Sequence, residues 1–341
     1  MNEFLVQAGN LFADEAAYQD YMGVHMVICV VLFIIGLLLI MFGGDRFVEA
    51  SILISKKLGI PQIIVGATIV SLGTTLPEIL TSTTAAFAGK GDISVGNAFG
   101  SIVCNTALIA AVTQMCKPSK GVERSSIGWR SILFFAAYVF VSTVGLITET
   151  VPRWAGILLL LGFCIYAFMS IKSSGGEEAD KEEEKAVEGT VFEAVVTMIV
   201  CAALLFLGSK LLVNNGTVIA TSLGVSDAVI GVTVVALGTS LPELVTAITA
   251  LIKGYADVSL GNIIGANTLN LLLVVGIPAV IKKIEIQDIN SFRLTAPAGL
   301  LVTALLILPF LFKKRGYRLQ GVALLAIYIA VTVLQFIGIG A

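Results

Sequence analysis

Residues 66–105, GATIVSLGTTLPEILTSTTAAFAGKGDISVGNAFGSIVCN, lie over residues 231–270, GVTVVALGTSLPELVTAITALIKGYADVSLGNIIGANTLN, at a constant offset of 165 and without a gap. Gly66, Gly73, Thr74, Pro77, Glu78, Thr81, Asp92, Asn97 and Asn105 are each matched by the same residue type, at Gly231, Gly238, Thr239, Pro242, Glu243, Thr246, Asp257, Asn262 and Asn270. The chain is therefore two copies of one unit, and whatever the first half folds into the second half folds into as well. A site built on these residues is expected in duplicate or where the copies meet.

Of the 341 residues, 57% are hydrophobic and 13% charged, with a mean hydropathy of +0.98, where a soluble domain typically has about 25% charged residues. Lipid is the solvent for most of such a chain. A helix needs about 20 apolar residues to cross the hydrocarbon, and its backbone groups must pair internally there. Ten spans of that kind can be drawn, at 24–43, 62–88, 93–116, 127–148, 152–171, 191–213, 227–252, 258–281, 293–312 and 317–338. The first continues past Gly44, because FVEASILISKKLGI keeps a helical apolar spacing. Five spans fall in each half. Five is odd, so the second half enters the membrane from the opposite face and the repeats are inverted.

The expected fold class is an all-α polytopic membrane protein of ten transmembrane helices in two inverted five-helix repeats. Residues 1–23 read as an extramembrane or interfacial segment, 24–171 as the first repeat, 172–190 as an acidic linker and 191–341 as the second repeat. The acidic start, without a basic stretch before an apolar run, does not read as a signal peptide. The linker, KSSGGEEADKEEEKAVEG, contains nothing like a calcium-binding DxDxDG loop and reads as a solvated charge run. Assigning Lys and Arg to alternate faces puts fifteen on one side and six on the other. By the positive-inside rule both termini face out and the linker is cytoplasmic.

Several function classes drop out. A balance of 21 Lys+Arg against 23 Asp+Glu leaves no basic surplus for nucleic acid. Cys29, Cys104, Cys116, Cys164 and Cys201 have no CxxC spacing, so neither a disulfide framework nor zinc is indicated. No Gly-rich phosphate loop marks a nucleotide-driven pump. Inverted repeats are instead the mark of many secondary transporters, whose substrate site lies near the bilayer midplane between the halves.

Glu78 and Glu243 fall in the middle of apolar spans, where an unpaired carboxylate costs on the order of several kcal/mol. No Lys or Arg is drawn at matching depth in the other spans, and His25 lies near an outer end, so the expected partner is a transported cation. Thr74 and Thr75 precede Glu78 by four and three residues and share its helical face; Thr239 and Ser240 stand in the same relation to Glu243. Pro77 and Pro242 push against the carbonyls four residues back, at Gly73 and Gly238, freeing them to face an ion. On the following spans, Asn97, Ser101 and Asn105 form one polar stripe, with Asn262, Ala266 and Asn270 in the second copy. Gly96 with Gly100 and Gly261 with Gly265 are expected to let helices approach closely. Asp92 and Asp257 read as helix caps. The all-oxygen donor set suits calcium, sodium or magnesium.

The paired GTTLPE and GTSLPE segments, each followed by GN-xx-G and a later Asn, resemble the two α-repeats of the calcium/cation antiporter superfamily, in particular its sodium/calcium exchangers. The resemblance runs over essentially the whole chain. It implies a ten-helix inverted-repeat fold with cations bound where spans two, three, seven and eight meet. By motif position it makes Glu78 and Glu243 the central carboxylates, with oxygens from Thr74, Thr75, Thr239 and Ser240. It adds backbone carbonyls at Ser71 and Ala236, and further ligands at Ser101, Asn105 and Asn270. Asn270, where the potassium-dependent branch relies on an acid, argues against potassium transport, and Ala266 lacks the hydroxyl of Ser101.

The expected activity is secondary antiport of Ca2+ against Na+, normally exporting Ca2+ across the cell membrane, with no prosthetic group and no enzymatic reaction. Proton/calcium antiport is the alternative, and a cation channel a more distant one. With two carboxylates at the centre, three sodium ions would leave one net positive charge and two would leave none.

Overall fold

The computed structural model describes residues 26–119, 124–173, 189–223 and 236–336. The segment 1–23, His25, most of the linker 172–190, Gly231 and the start of the seventh drawn span lie outside the described residues. The chain is an all-α polytopic membrane protein. Its helices are α1 (Met26–Leu58), α2 (Gln62–Thr74), α3 (Leu76–Phe87), α4 (Gly91–Cys116), α5 (Arg124–Thr148) and α6 (Arg153–Ser173) in the first half. The second half has α7 (Val191–Ser222), α8 (Ala236–Thr239), α9 (Leu241–Ile252), α10 (Ala256–Ile281), α11 (Ile289–Lys313) and α12 (Arg318–Phe336). Among the described residues eight helices are long and apolar enough to cross a membrane, and α2 with α3 makes a further, broken span bent by 44°.

The first span does continue past Gly44, as one 33-residue helix ending at Leu58. Its counterpart α7 runs nine residues beyond the drawn end at 213, to Ser222, after a capping box in which Thr190 and Glu193 bond each other's backbone N–H. These two helices lie along each other. A Cβ on Gly36 would sit 2.8 Å from the Gly208 carbonyl oxygen, and one on Gly43 would sit 3.3 Å from that of Cys201. Position 201 is the counterpart of 36, and 208 of 43, so the two close approaches exchange under the repeat, as a two-fold relation requires. In lipid, where apolar burial drives little, such backbone contact is what holds helices together.

The inner layer consists of α2 to α4 and α8 to α10, with α4 and α10 buried along most of their length. Gly89 and Gly254, another related pair, take φ of 77° and 91° where the chain turns from α3 into α4 and from α9 into α10. Only glycine adopts that conformation without strain. Outside the bilayer-crossing helices, Thr150–Val151 (β1) pairs antiparallel with Ile284–Glu285 (β2). The pairing ties the α5–α6 connection to the α10–α11 connection.

Three expectations are corrected here. Gly261 and Gly265 do mark a tight crossing, with a Cβ on either reaching within 2.5 Å of a backbone carbonyl of α2, but Gly96 and Gly100 have nothing within 4 Å among the described residues. Asp92 does not cap its own helix; its Oδ1 accepts the backbone N–H groups of Gln287 and Asp288, just before α11. Arg130, one of the fifteen Lys and Arg assigned above to the cytoplasmic face, is 1% exposed inside α5, its guanidinium over the Trp129 ring. Buried cations pair or stack in this way because lipid cannot solvate them.

Candidate cation site

The two carboxylates sit just after the breaks. The α2–α3 break falls at Thr75 and the α8–α9 break at Ser240, with Pro77 and Pro242 in the first turns of α3 and α9. Proline is compatible with a first turn because its missing N–H would have no helical partner there. Glu78 and Glu243 follow at once, 0% and 1% exposed, at the N-terminal ends of their half-helices.

Around them the repeats interlock. Thr74 Oγ1 donates to Asn262 Oδ1 at 3.3 Å, and its counterpart Thr239 Oγ1 donates to Asn97 Oδ1 at 3.4 Å. Each helix break is thus hydrogen-bonded to the following span of the other repeat. The Asn side chains are fixed in turn: Asn97 Nδ2 donates to the Glu78 carbonyl at 3.2 Å and to Ser82 Oγ at 2.9 Å, while Asn262 Nδ2 donates to Thr246 Oγ1 at 3.0 Å. Asn97 and Asn262 stood above as a matched pair within the polar stripes but outside the expected ligands; the signal that singles them out is that identity at matched positions beside the GN-xx-G glycines.

The two carboxylates are not equivalent. Thr75 Oγ1 lies 3.5 Å from Glu243 Oε1, whereas Ser240, the counterpart of Thr75, donates to Ser101 Oγ at 3.3 Å. Both carboxylate oxygens of Glu78, and Oε2 of Glu243, have no hydrogen-bond partner among the described residues. The same holds for both amide atoms of Asn105 and for Oδ1 of Asn270, each 0–1% exposed. Unpaired buried polar atoms cost on the order of 1–3 kcal/mol each, so native proteins keep few of them without a purpose.

Asn105 and Asn270 also open π-helical turns, Asn105–Ala110 in α4 and Asn270–Val275 in α10. A third π turn, Gly66–Val70, lies in α2. Such bulges redirect a side chain and release a carbonyl from the regular ladder, and they concentrate at functional sites. Nothing in residue spacing foretells them. The Ala67 carbonyl in the α2 bulge is taken up by the Tyr166 hydroxyl of α6.

Ser71 opens the last turn of α2, after its π turn, and Ala236 begins α8, each just before a break. The Ser71 carbonyl accepts Thr75 N at 2.9 Å and Thr74 Oγ1 at 3.3 Å. Of the two carbonyls expected to be freed by proline, that of Gly238 is accepted by Ser209 Oγ at 2.7 Å, which corrects its reading as a free ion-facing oxygen. Gly44, the counterpart of Ser209, has no hydroxyl to offer Gly73. No group of three or more His, Cys, Asp or Glu side chains clusters among the described residues. Beyond the two carboxylates, the donors available here are hydroxyls, amides and carbonyls, a hard-oxygen set.

Known proteins resemble this chain over nearly its whole length. The sodium/calcium exchanger protein family matches residues 28–172 and 193–337, two segments themselves offset by 165. The putative antiporter CaxA of Alkalimonas amylolytica is 32% identical over 328 residues, covering 91% of this chain and 99% of that protein. The sodium/calcium exchanger MaX1 of Methanosarcina acetivorans is 27% identical over 343 residues, covering 89% and 97%. Among solved structures, the sodium-calcium exchanger NCX_Mj soaked with 2.5 mM Na+ and 0.1 mM Ca2+ superposes with a TM-score of 0.77 at 28% identity, over 90% of this chain and 98% of that one.

Proposed function

The chain belongs to the sodium/calcium exchanger protein family, and on that premise we propose that it exchanges Ca2+ for Na+ by alternating access, exporting Ca2+ from the cell. The observation that carries this reading is the pair of buried carboxylates, Glu78 and Glu243, with three of their four oxygens unpaired, set among hydroxyl and amide oxygens at the meeting of two repeats. Ca2+ takes six to eight oxygen ligands at 2.3–2.6 Å in flexible geometry. In our reading Glu78 and Glu243 neutralise its charge. Thr74, Thr75, Thr239, Ser240, Ser101, Asn105 and Asn270 supply neutral oxygens, with carbonyls from Ser71 and Ala236.

Sodium carries the same preference for oxygen at half the charge, so several Na+ can replace one Ca2+ on the same ligands. Competition of this kind gives antiport when only the fully loaded protein switches face, so that each ion class crosses in exchange for the other. Asn270, neutral where an acid would hold a further cation, is in keeping with exchange that needs no potassium. Three Na+ per Ca2+ would move one net charge. The two repeats, 24–171 and 191–341, act as the units between which the site opens, with the linker 172–190 cytoplasmic, the termini outside and the protein in the cell membrane.

The test is flux in reconstituted vesicles. Vesicles loaded with Na+ and diluted into Na+-free medium are expected to accumulate Ca2+ in proportion to the imposed gradient. Uptake that follows a pH gradient at equal Na+ would assign the coupling to protons, and uptake with no counter-ion would make the protein a channel.

A further inference from the structure

Among the described residues, the C-terminal half of α1 is tied to the inner layer by charge. Lys253, the residue after α9, places Nζ 2.6 Å from Asp45 Oδ1 and 2.7 Å from Glu49 Oε1, two carboxylates one turn apart on α1. Arg46 Nη1 holds the second Glu49 oxygen at 3.2 Å. The Lys253 side chain is 24% exposed. Burial alone would lower its ammonium, yet its hydrogen bonds to Asp45 and Glu49 raise it above the ordinary lysine value.

The repeat shows what the opposite face has instead. At the offset of 165, Asp45 corresponds to Lys210, Glu49 to Asn214 and Lys253 to Ala88. Inverted-repeat transporters change face when the halves exchange conformations, one unit rocking against the other. On that exchange the contact now made by α1 with the end of α9 passes to α7 and the end of α3. There a lysine and an asparagine meet an alanine, and no ion pair can form.

We propose that Lys253, Asp45 and Glu49 are positioning residues that hold α1 against the end of α9 in one access state and have no counterpart in the other. The device makes two otherwise related states unequal. A partly exposed ion pair of this kind is expected to favour its state by roughly two- to fivefold. The inference rests on the exchanger reading only in requiring two access states, and it says nothing about which ion is carried.

Distances between spin labels test it without measuring transport. Lys57 and Lys117, exposed on the face that carries Lys253, are changed to cysteine for labelling and the exposed Cys116 and Cys164 to serine, the other three cysteines being buried. In full-length protein, Lys253→Ala is expected to move the distance distribution roughly two- to fivefold toward the separated state. Exchanging the charges, with Lys253→Glu, Asp45→Lys and Glu49→Lys together, is expected to restore the parent distribution. Building the missing contact, with Ala88→Lys, Lys210→Asp and Asn214→Glu, is expected to shift it in the same direction as Lys253→Ala. An unchanged distribution in Lys253→Ala, or a charge exchange that behaves like the alanine variant, would overturn the proposal. A chain that shows these shifts but no sodium-driven uptake would refute only the cargo.

Discussion

The Thr74 hydroxyl donates to the Asn262 amide oxygen at 3.3 Å, joining the helix break of the first repeat to the central span of the second. The Thr239–Asn97 bond does the same in reverse at 3.4 Å. The site is therefore held by neither repeat alone. Removing Thr74 leaves the buried Asn262 Oδ1 without this donor, at a cost of about 1–3 kcal/mol, whereas without Asn262 the Thr74 hydroxyl keeps its bond to the Ser71 carbonyl. Thr74→Ala and Asn262→Ala are each expected to lower the thermal midpoint in detergent. The double variant should lose less than the sum, with a coupling of about 0.5–1.5 kcal/mol. Strict additivity would show that this bond does not form.

Glu78 and Glu243 differ in what surrounds them, since only Glu243 has Thr75 within hydrogen-bond range. Glutamine at either position keeps the shape and removes one of two charges. Calcium affinity follows the charge count of its ligands. Calcium titration of Glu78→Gln and Glu243→Gln is expected to show affinity falling at least on the order of a hundredfold in each, with folding retained. Normal calcium affinity in Glu243→Gln would remove it from the site.

Gly261 carries the tight crossing of α10 on α2. A Cβ there would lie 2.2 Å from the Ile63 carbonyl oxygen, and backbone on both sides cannot yield as a flexible side chain could. Gly261→Ala is expected to abolish or strongly reduce the yield of folded protein in size-exclusion chromatography. Gly254, at φ 91°, fails for a different reason, conformational strain, and Gly254→Ala is expected to cost about 1 kcal/mol. A thermal midpoint for Gly261→Ala close to that of Gly254→Ala would show that the crossing is looser than described.

Tyr166 reaches from α6 to the Ala67 carbonyl in the α2 bulge. Tyr166→Phe keeps the ring and leaves that buried carbonyl without its donor. The expected loss is about 1–3 kcal/mol of stability, read as a lower thermal midpoint. If the midpoint does not move, the bulge is stabilised by something other than Tyr166.

The part of this protein that could be read without coordinates is the part that repeats or has a period. Apolar runs of bilayer length marked the spans, and the offset of 165 marked Glu78 and Glu243 as a pair. Proline at 77 and 242 located both breaks, because a missing N–H acts on the backbone locally. The rest depends on neighbours far along the chain. The π turns at Asn105 and Asn270 leave no trace in spacing. Ser209 is silent until α7 is seen to pass Gly238, and Asp92 looks like a cap for its own helix until α11 arrives beside it. Gly96 and Gly261 are the same residue in the same motif, yet among the described residues only Gly261 meets backbone, since that depends on what lies opposite.

Equilibrium binding of radioactive calcium to the purified protein, measured as Na+ rises at constant pH and ionic strength, tests the central claim most directly. If Ca2+ and Na+ share Glu78 and Glu243, calcium is displaced with a steep dependence on sodium, a Hill coefficient above one, and the sodium-displaceable calcium binding is itself lost in the Glu78→Gln, Glu243→Gln double variant. Calcium binding that ignores sodium and is released only by acid would contradict it.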